Sequence, residues 1–217
     1  MSVLVYTEAE EGKFKKNALE VASYASGVAE ALGDTVTAIT FNAEEPEALG
    51  KYGVNKVLNV TDDKFSKFKA SAFAEAIKQA AEKGGNTTII LSSSANAKYL
   101  APLLAVQMEA GYASNVVALP ETTSPFKVKR TAFTNKAFNI TEITTDKRIL
   151  GLSKNAYPTI PTSPTQVGFR LQSLSKSPVK VKSRFTSKKD QSSSYSPVSS
   201  VLVTPTYVPT SSPNATF

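Results

Sequence analysis

The chain of 217 residues contains no cysteine. That excludes disulfides, thiolate metal sites and a cysteine nucleophile. It contains no histidine either. A Ser-His-Asp triad, a histidine general base and the commonest metal ligand are therefore absent. The first residues lack a basic segment followed by a long apolar run, and Glu8, Glu10 and Glu11 come almost at once. No secretory leader is read there. No apolar run approaches the ~20 residues of a membrane helix. These absences predict a soluble intracellular protein.

Acidic residues are scarce in one part of the chain only. Residues 158–217 hold seven Lys/Arg and a single acid, which leaves 18 basic and 17 acidic residues in 1–157. The net charge of +7 therefore belongs mostly to the C-terminal stretch. A nucleic-acid footprint would be a basic stripe on a folded face, and the near-neutral body offers none.

What is present reads as alternating strands and helices. Thr87 to Leu91 is a short β-branched and apolar run, the pattern of a buried parallel strand. Ser92 to Asn96 reads as a polar turn. A helix is predicted over Lys98 to Ala110, with Leu100, Leu103, Leu104 and Met108 on one face, Pro102 in its first turns and Gly111 as its cap. Asn115 to Leu119 reads as the next strand. Earlier come Ser2 to Tyr6 as strand, Lys15 to Leu32 as helix ended by Gly33, and Thr35 to Phe41 as strand. A short helix opened by Pro46 and closed by Gly50, a strand over Lys56 to Val60 and a helix over Phe65 to Lys83 follow. The whole predicts an α/β three-layer sandwich with a mostly parallel sheet. After Leu119, three strands are predicted over Phe126 to Ala132, Ala137 to Ile143 and Arg148 to Ser153. They are read as an antiparallel, hairpin-rich edge.

At Pro158 the composition breaks. Serine, threonine and proline make up 30 of the last 60 residues. Such a segment cannot bury enough surface to offset its chain entropy, so 158–217 is read as a disordered tail and 1–157 as the folded domain.

The candidate sites follow from this layout. In doubly wound sheets ligands sit at the carboxyl ends of the strands. The loop after the first strand, Thr7 to Lys13, carries three glutamates and one glycine. Carboxylates repel phosphate, so it reads as a solvated acidic loop and a poor nucleotide site. Ser92, Ser93, Ser94 and Asn96 precede a helix N-terminus and can serve an anion. Capping by Ser94 or Asn96 is the favoured reading. Tyr6, Tyr99 and Tyr112 can stack on a ring, but packing is the commoner use of such residues. No carboxylate pair has an acid–base spacing, and neither a catalytic residue nor a metal ligand is assigned.

Several segments in order carry a family resemblance. They are SVLVYTEAEEGKFKKNALEVASYA, ALGKYGVNKVLNV, LSSSANAKYLAPLLAVQMEAGYASNVVAL, FKVKRTAFTNKAF and ILGLSKNAY. Together they resemble the N-terminal domain of the electron-transfer flavoprotein alpha subunit, over about residues 1–157. The chain departs from the family at Thr134-Asn135-Lys136, where the hairpin turn commonly holds Gly-Asn, and at Lys154, where the closing strand often ends in Arg. The resemblance implies a Rossmann-like, adenine-nucleotide-hydrolase-like fold in the bacterial cytoplasm. It implies an electron carrier rather than an enzyme, paired with a beta subunit that binds AMP. The heterodimer would shuttle electrons from flavin dehydrogenases, acyl-CoA dehydrogenases among them, to the respiratory chain. FAD in the full-length family lies mainly on a second alpha domain with a GGRG-type motif, which these residues lack, so the resemblance implies that this chain alone does not bind it. Arg130 and Lys154 then become candidates for contact with the beta subunit or a flavin phosphate, against the alternative of a solvated strand face. The change at Tyr157 is read as truncation or an out-of-frame tail, with a genuine disordered tail as the alternative. Two other functions stay open: a stand-alone adenine-nucleotide-binding module, and an interaction protein acting through its basic tail.

Overall fold

A computed structural model describes residues 2–161. β1 (Ser2–Tyr6) leads through two short paired strands, β2 (Ala9–Glu10) and β3 (Lys13–Phe14), into α1 (Lys16–Leu32). β4 (Thr35–Phe41) follows, then a 3-10 segment (Pro46–Tyr52) and β5 (Lys56–Val60). A 3-10 turn (Asp63–Phe65) precedes α2 (Ala70–Gly84), β6 (Thr88–Ser92) and α3 (Ala95–Met108). The chain closes with β7 (Gly111–Val116), β8 (Thr122–Thr123), β9 (Phe126–Ala132), β10 (Ala137–Ile143) and β11 (Arg148–Leu152).

These strands form a nine-stranded sheet in the order β10-β9-β7-β11-β6-β1-β4-β5, with β8 paired to β9. β1 alternates its side chains between two cores, as a strand buried on both faces must. Val3 and Val5 meet Val21, Ala25 and Val28 of α1 on one face. Leu4 and Tyr6 meet Phe73, Ile77, Leu100 and Leu104 of α2 and α3 on the other. The result is the three-layer α/β sandwich that the alternation of elements predicts. The β9–β10 hairpin, paired from Phe126↔Ile143 to Ala132↔Ala137, forms the expected antiparallel edge.

Several expectations are corrected. β11 is not part of that edge; it inserts parallel between β6 and β7. Its apolar run is buried on both faces, which suits the middle of a parallel sheet. α3 starts three residues earlier than predicted, so Pro102 lies well inside it. Leu103 is 40% exposed and does not share the buried face of Leu100, Leu104 and Met108. Glu109, not Gly111, adopts the left-handed cap of α3, at φ 53°. β7 therefore begins at Gly111 rather than Asn115. Glycine is required there because a Cβ would stand 2.6 Å from both Ile143 and Thr145. The first 3-10 segment ends at Gly53, not Gly50, and α2 begins at Ala70, after a separate turn. The acidic loop is partly ordered as the β2–β3 hairpin, turned by Glu11 and Gly12 at positive φ.

No helix of the described residues is long and apolar enough to cross a membrane. The reading of the tail as disordered falls outside the described residues from 162 onward.

Candidate functional site

The chain crosses from β1 to β4 on one side, then returns through α2 to β6 on the other side of β1. Neighbouring strands whose crossovers run in opposite directions leave a crevice at their carboxyl ends, the usual ligand position in open α/β sheets. Here a cavity of about 440 Å³ lies at that end. Lys16, Asn17 and Glu20 contribute from α1 and Lys15 from its N-cap, Ser92 to Ala95 from the β6–α3 turn, and Leu152 to Lys154 from the end of β11.

The β6–α3 turn is built by its own hydrogen bonds. Ser94 is the N-cap of α3, its hydroxyl accepting from the Ala97 N–H at 3.1 Å. Ser92 Oγ accepts from the Ser94 N–H at 3.4 Å and from Asn17 Nδ2 at 3.3 Å, tying the turn to the start of α1. Asn96 does not cap. Its amide donates to Glu8 Oε1 at 2.7 Å, in the loop after β1.

Glu8 is therefore not part of a solvated loop: it is only 4% exposed. Lys15 Nζ stands 3.7 Å from Glu8 Oε1 and 3.1 Å from Glu10 Oε2. Partial burial lowers the Lys15 pKa, but the hydrogen bond to Glu10 and the negative charges of Glu8 and Glu10 outweigh it and raise the pKa overall. Among the described residues neither Lys16 nor Lys154 makes an ion pair.

Glu20 is also 4% exposed, but its charge is committed elsewhere. Its two oxygens accept from the backbone N–H groups of Asn155, at 3.2 Å, and Tyr157, at 3.1 Å. Ser23 Oγ both accepts from the Ile160 N–H and donates to its carbonyl. The segment 155–160 is thereby strapped along α1, past the predicted boundary at Tyr157.

The structure thus gathers Ser92, Ser93, Ser94 and Lys154 around one cavity and leaves Arg130 outside its lining. Arg130 instead donates to Ser114 Oγ at 3.1 Å. It faces Tyr112, whose pKa burial raises against the lowering effect of that guanidinium. Tyr6 packs against Phe41 and Phe73, and burial, then the Glu8 charge, raise its pKa. Tyr99 is 72% exposed on α3. Glu8, Asn17 and Glu20 were not legible as site residues. Glu20 carried a faint signal, lying four and seven residues before Tyr24 and Gly27 on a helix face too small and aromatic for a solvated one.

The chemistry available is electrostatic. The hydroxyls of Ser92 and Ser94 are engaged in the turn's own hydrogen bonds, with Asn17 and the Ser94 and Ala97 N–H groups. Flavin or a dinucleotide does not fit these residues. A pyrophosphate needs glycine where it meets the backbone, and the turn Ser92–Asn96 has none. The carboxylate in the cavity's lining, Glu20, adds negative charge there. No step is therefore derived through such a group.

No curated protein matches the chain significantly. The model of the electron transfer flavoprotein domain matches residues 3–173, most of the chain and past Tyr157. The chain belongs to the electron transfer flavoprotein domain family.

Proposed function

We propose that this chain is the N-terminal domain of an alpha-type electron-transfer flavoprotein subunit, acting as a scaffold within a heterodimer. The family match over residues 3–173 carries this reading. In it the chain packs against a beta subunit, and the heterodimer relays electrons from flavin dehydrogenases, such as acyl-CoA dehydrogenases, toward the respiratory chain. The chain carries electrons by partnership and catalyses nothing itself. FAD is held by groups other than the residues described here, and AMP by the partner. Two exposed apolar surfaces support a packing role. One is Tyr99, Leu103 and Val106 on α3; the other is Phe133, Phe138 and Ile140 on the β9–β10 hairpin. The match runs to residue 173, past Tyr157.

Co-expression with a beta subunit of the family tests the reading. The expected outcome is a 1:1 complex by light scattering, and no stoichiometric flavin absorbance in the chain purified alone. Failure to form the complex, or flavin bound by the chain alone, would count against it. A stand-alone nucleotide-binding module ranks second. Lys16 and Lys154 in the crevice favour it, and the lack of glycine in the turn Ser92–Asn96 opposes it.

A further inference from the structure

We propose that the outer edge of β10 pairs with β10 of a second copy of this chain, joining two sheets into an antiparallel dimer of the free protein. β10 ends the sheet, with β9 as its one neighbour among the described residues. The Val117 and Glu121 N–H groups bond to the Lys129 and Lys127 carbonyls. The odd-numbered residues of β9 therefore turn their backbone groups away from β10, and the even-numbered ones turn theirs toward it. In the register Arg130↔Asn139 and Val128↔Thr141, Asn139 and Thr141 then bond inward. The N–H and C=O groups of Phe138, Ile140 and Glu142 point outward. Such an open row is a template for another strand, and proline or a bulge commonly blunts it. β10 (AFNITEI) has no proline and pairs with β9 over seven residues without a bulge. It also exposes Phe138 and Ile140 on one face of the sheet.

The strand is complementary to itself, which is what selects a second copy as its occupant. Two outward rows bond only when even-numbered residues oppose even-numbered ones. Near the middle of β10, two-fold axes at Asn139 and at Ile140 both meet this condition. The axis at Ile140 sets Phe138 against Glu142 of the second copy, an apolar ring against a charge. The axis at Asn139 sets Phe138 against Ile140 of the second copy and Lys136 against Glu142 of the second copy. Symmetry makes each of these contacts twice. Apolar pairs and opposite charges directly across a ladder both stabilise it. Lys136 is exposed and makes no ion pair among the described residues. Glu142 is held only by Lys127, at 3.5 Å on an exposed surface. The inference concerns the chain by itself and does not rest on the heterodimer reading.

The test is sedimentation velocity of the full 217-residue chain alone, with amide hydrogen exchange as a second readout. Dimer should form as the concentration rises from about 5 to about 500 µM. The amides of Phe138, Ile140 and Glu142 should exchange more slowly at the upper concentration than at the lower. Ile140→Lys should raise the dimer Kd at least about tenfold, because an edge lysine opposes pairing. Lys136→Glu should raise it about fivefold, and adding Glu142→Lys should bring it back to within about twofold. That rescue belongs to the Asn139 axis and to no other register, and Lys136, in the turn, gives a reading if Ile140→Lys loses the native melting transition. A chain still monomeric at about 500 µM would overturn the proposal. If those three amides were slow to exchange in such a monomer, the edge would belong to another segment of the chain. A dimer untouched by Ile140→Lys, a dimer lost with Tyr99→Ser and Val106→Ser, or a charge swap without rescue would overturn it as well.

Discussion

The two helical layers of this sandwich are finished differently. The outer side of α1 is covered by the chain itself. Glu20, Ser23, Tyr24 and Gly27 form one stripe, and residues 155–160 lie along it through Glu20, Ser23 and an edge-on Tyr24–Tyr157 contact. The outer side of α3 presents Tyr99 and Val106, the latter 80% exposed, with nothing among the described residues upon them. Both helices bury an apolar inner face against the same sheet. One is completed by a polar strap from the chain's own residues 155–160, and the other is left apolar. A surface that ends in buried hydrogen bonds belongs to the fold, whereas one that ends in bare apolar side chains is available to a partner.

The sharpest way to break this contrast is Glu20→Leu. It strands two backbone N–H groups of the strap in a part-buried site. Unfolding in urea should show a loss of about 2–4 kcal/mol, and residues beyond Leu152 should lose amide protection. An unchanged midpoint would mean that the strap contributes nothing.

Alkaline titration comes next. Burial raises the Tyr24 pKa in the folded state, with Tyr157 adding to the shift, while its hydroxyl donates to the Ala118 carbonyl at 2.9 Å. A group whose folded pKa is raised contributes its full stability below its unfolded value of about 10 and loses it as pH climbs above that. Stability should therefore fall above pH ~10, by at most about 1.4 kcal/mol per pH unit for each such tyrosine. Tyr24→Phe should flatten that fall, leaving the contributions of Tyr6 and Tyr112. An equal slope in both proteins would exclude Tyr24 as its source.

Ser23→Ala removes both bonds to Ile160 at the far end of the strap. A loss of about 0.5–1.5 kcal/mol is expected, smaller than for Glu20 because only one end of the segment is released. Smallest of all should be Tyr99→Ser with Val106→Ser. Solvated positions of this kind change stability by no more than about 0.5 kcal/mol. On the proposed function, the same pair should weaken the beta-subunit complex while the free chain melts as before. A large loss of stability in the free chain would show that this face is already covered.

The local part of the fold was readable. β4 and β5 appear where their β-branched and apolar runs lie, and α1 stops at Gly33, which adopts φ 68°. Those elements are set by short-range periodicity and by one residue that tolerates the left-handed region. The start of α3 is hard to place from sequence because Ser94, Ala95, Asn96 and Ala97 suit either a turn or a first helical turn. Only the Ser94–Ala97 bond decides between them. Gly111 suits a helix cap by residue type alone, whereas its constraint is the side chains of Ile143, at the end of β10, and of Thr145 in the turn after it.

By itself the sequence determined the alternation of strands and helices and the antiparallel hairpin. These depend on residue type and on spacings of a few positions. Tertiary structure alone decided that β11 enters the middle of the sheet, since an apolar run reads the same whether its neighbours are central or at an edge. It also decided which polar residues meet. Glu8 finds Asn96 across 88 positions, Asn17 finds Ser92 across 75, and Glu20 finds Asn155 across 135. Such pairings follow from the order in which strands join, a long-range choice that no local pattern encodes.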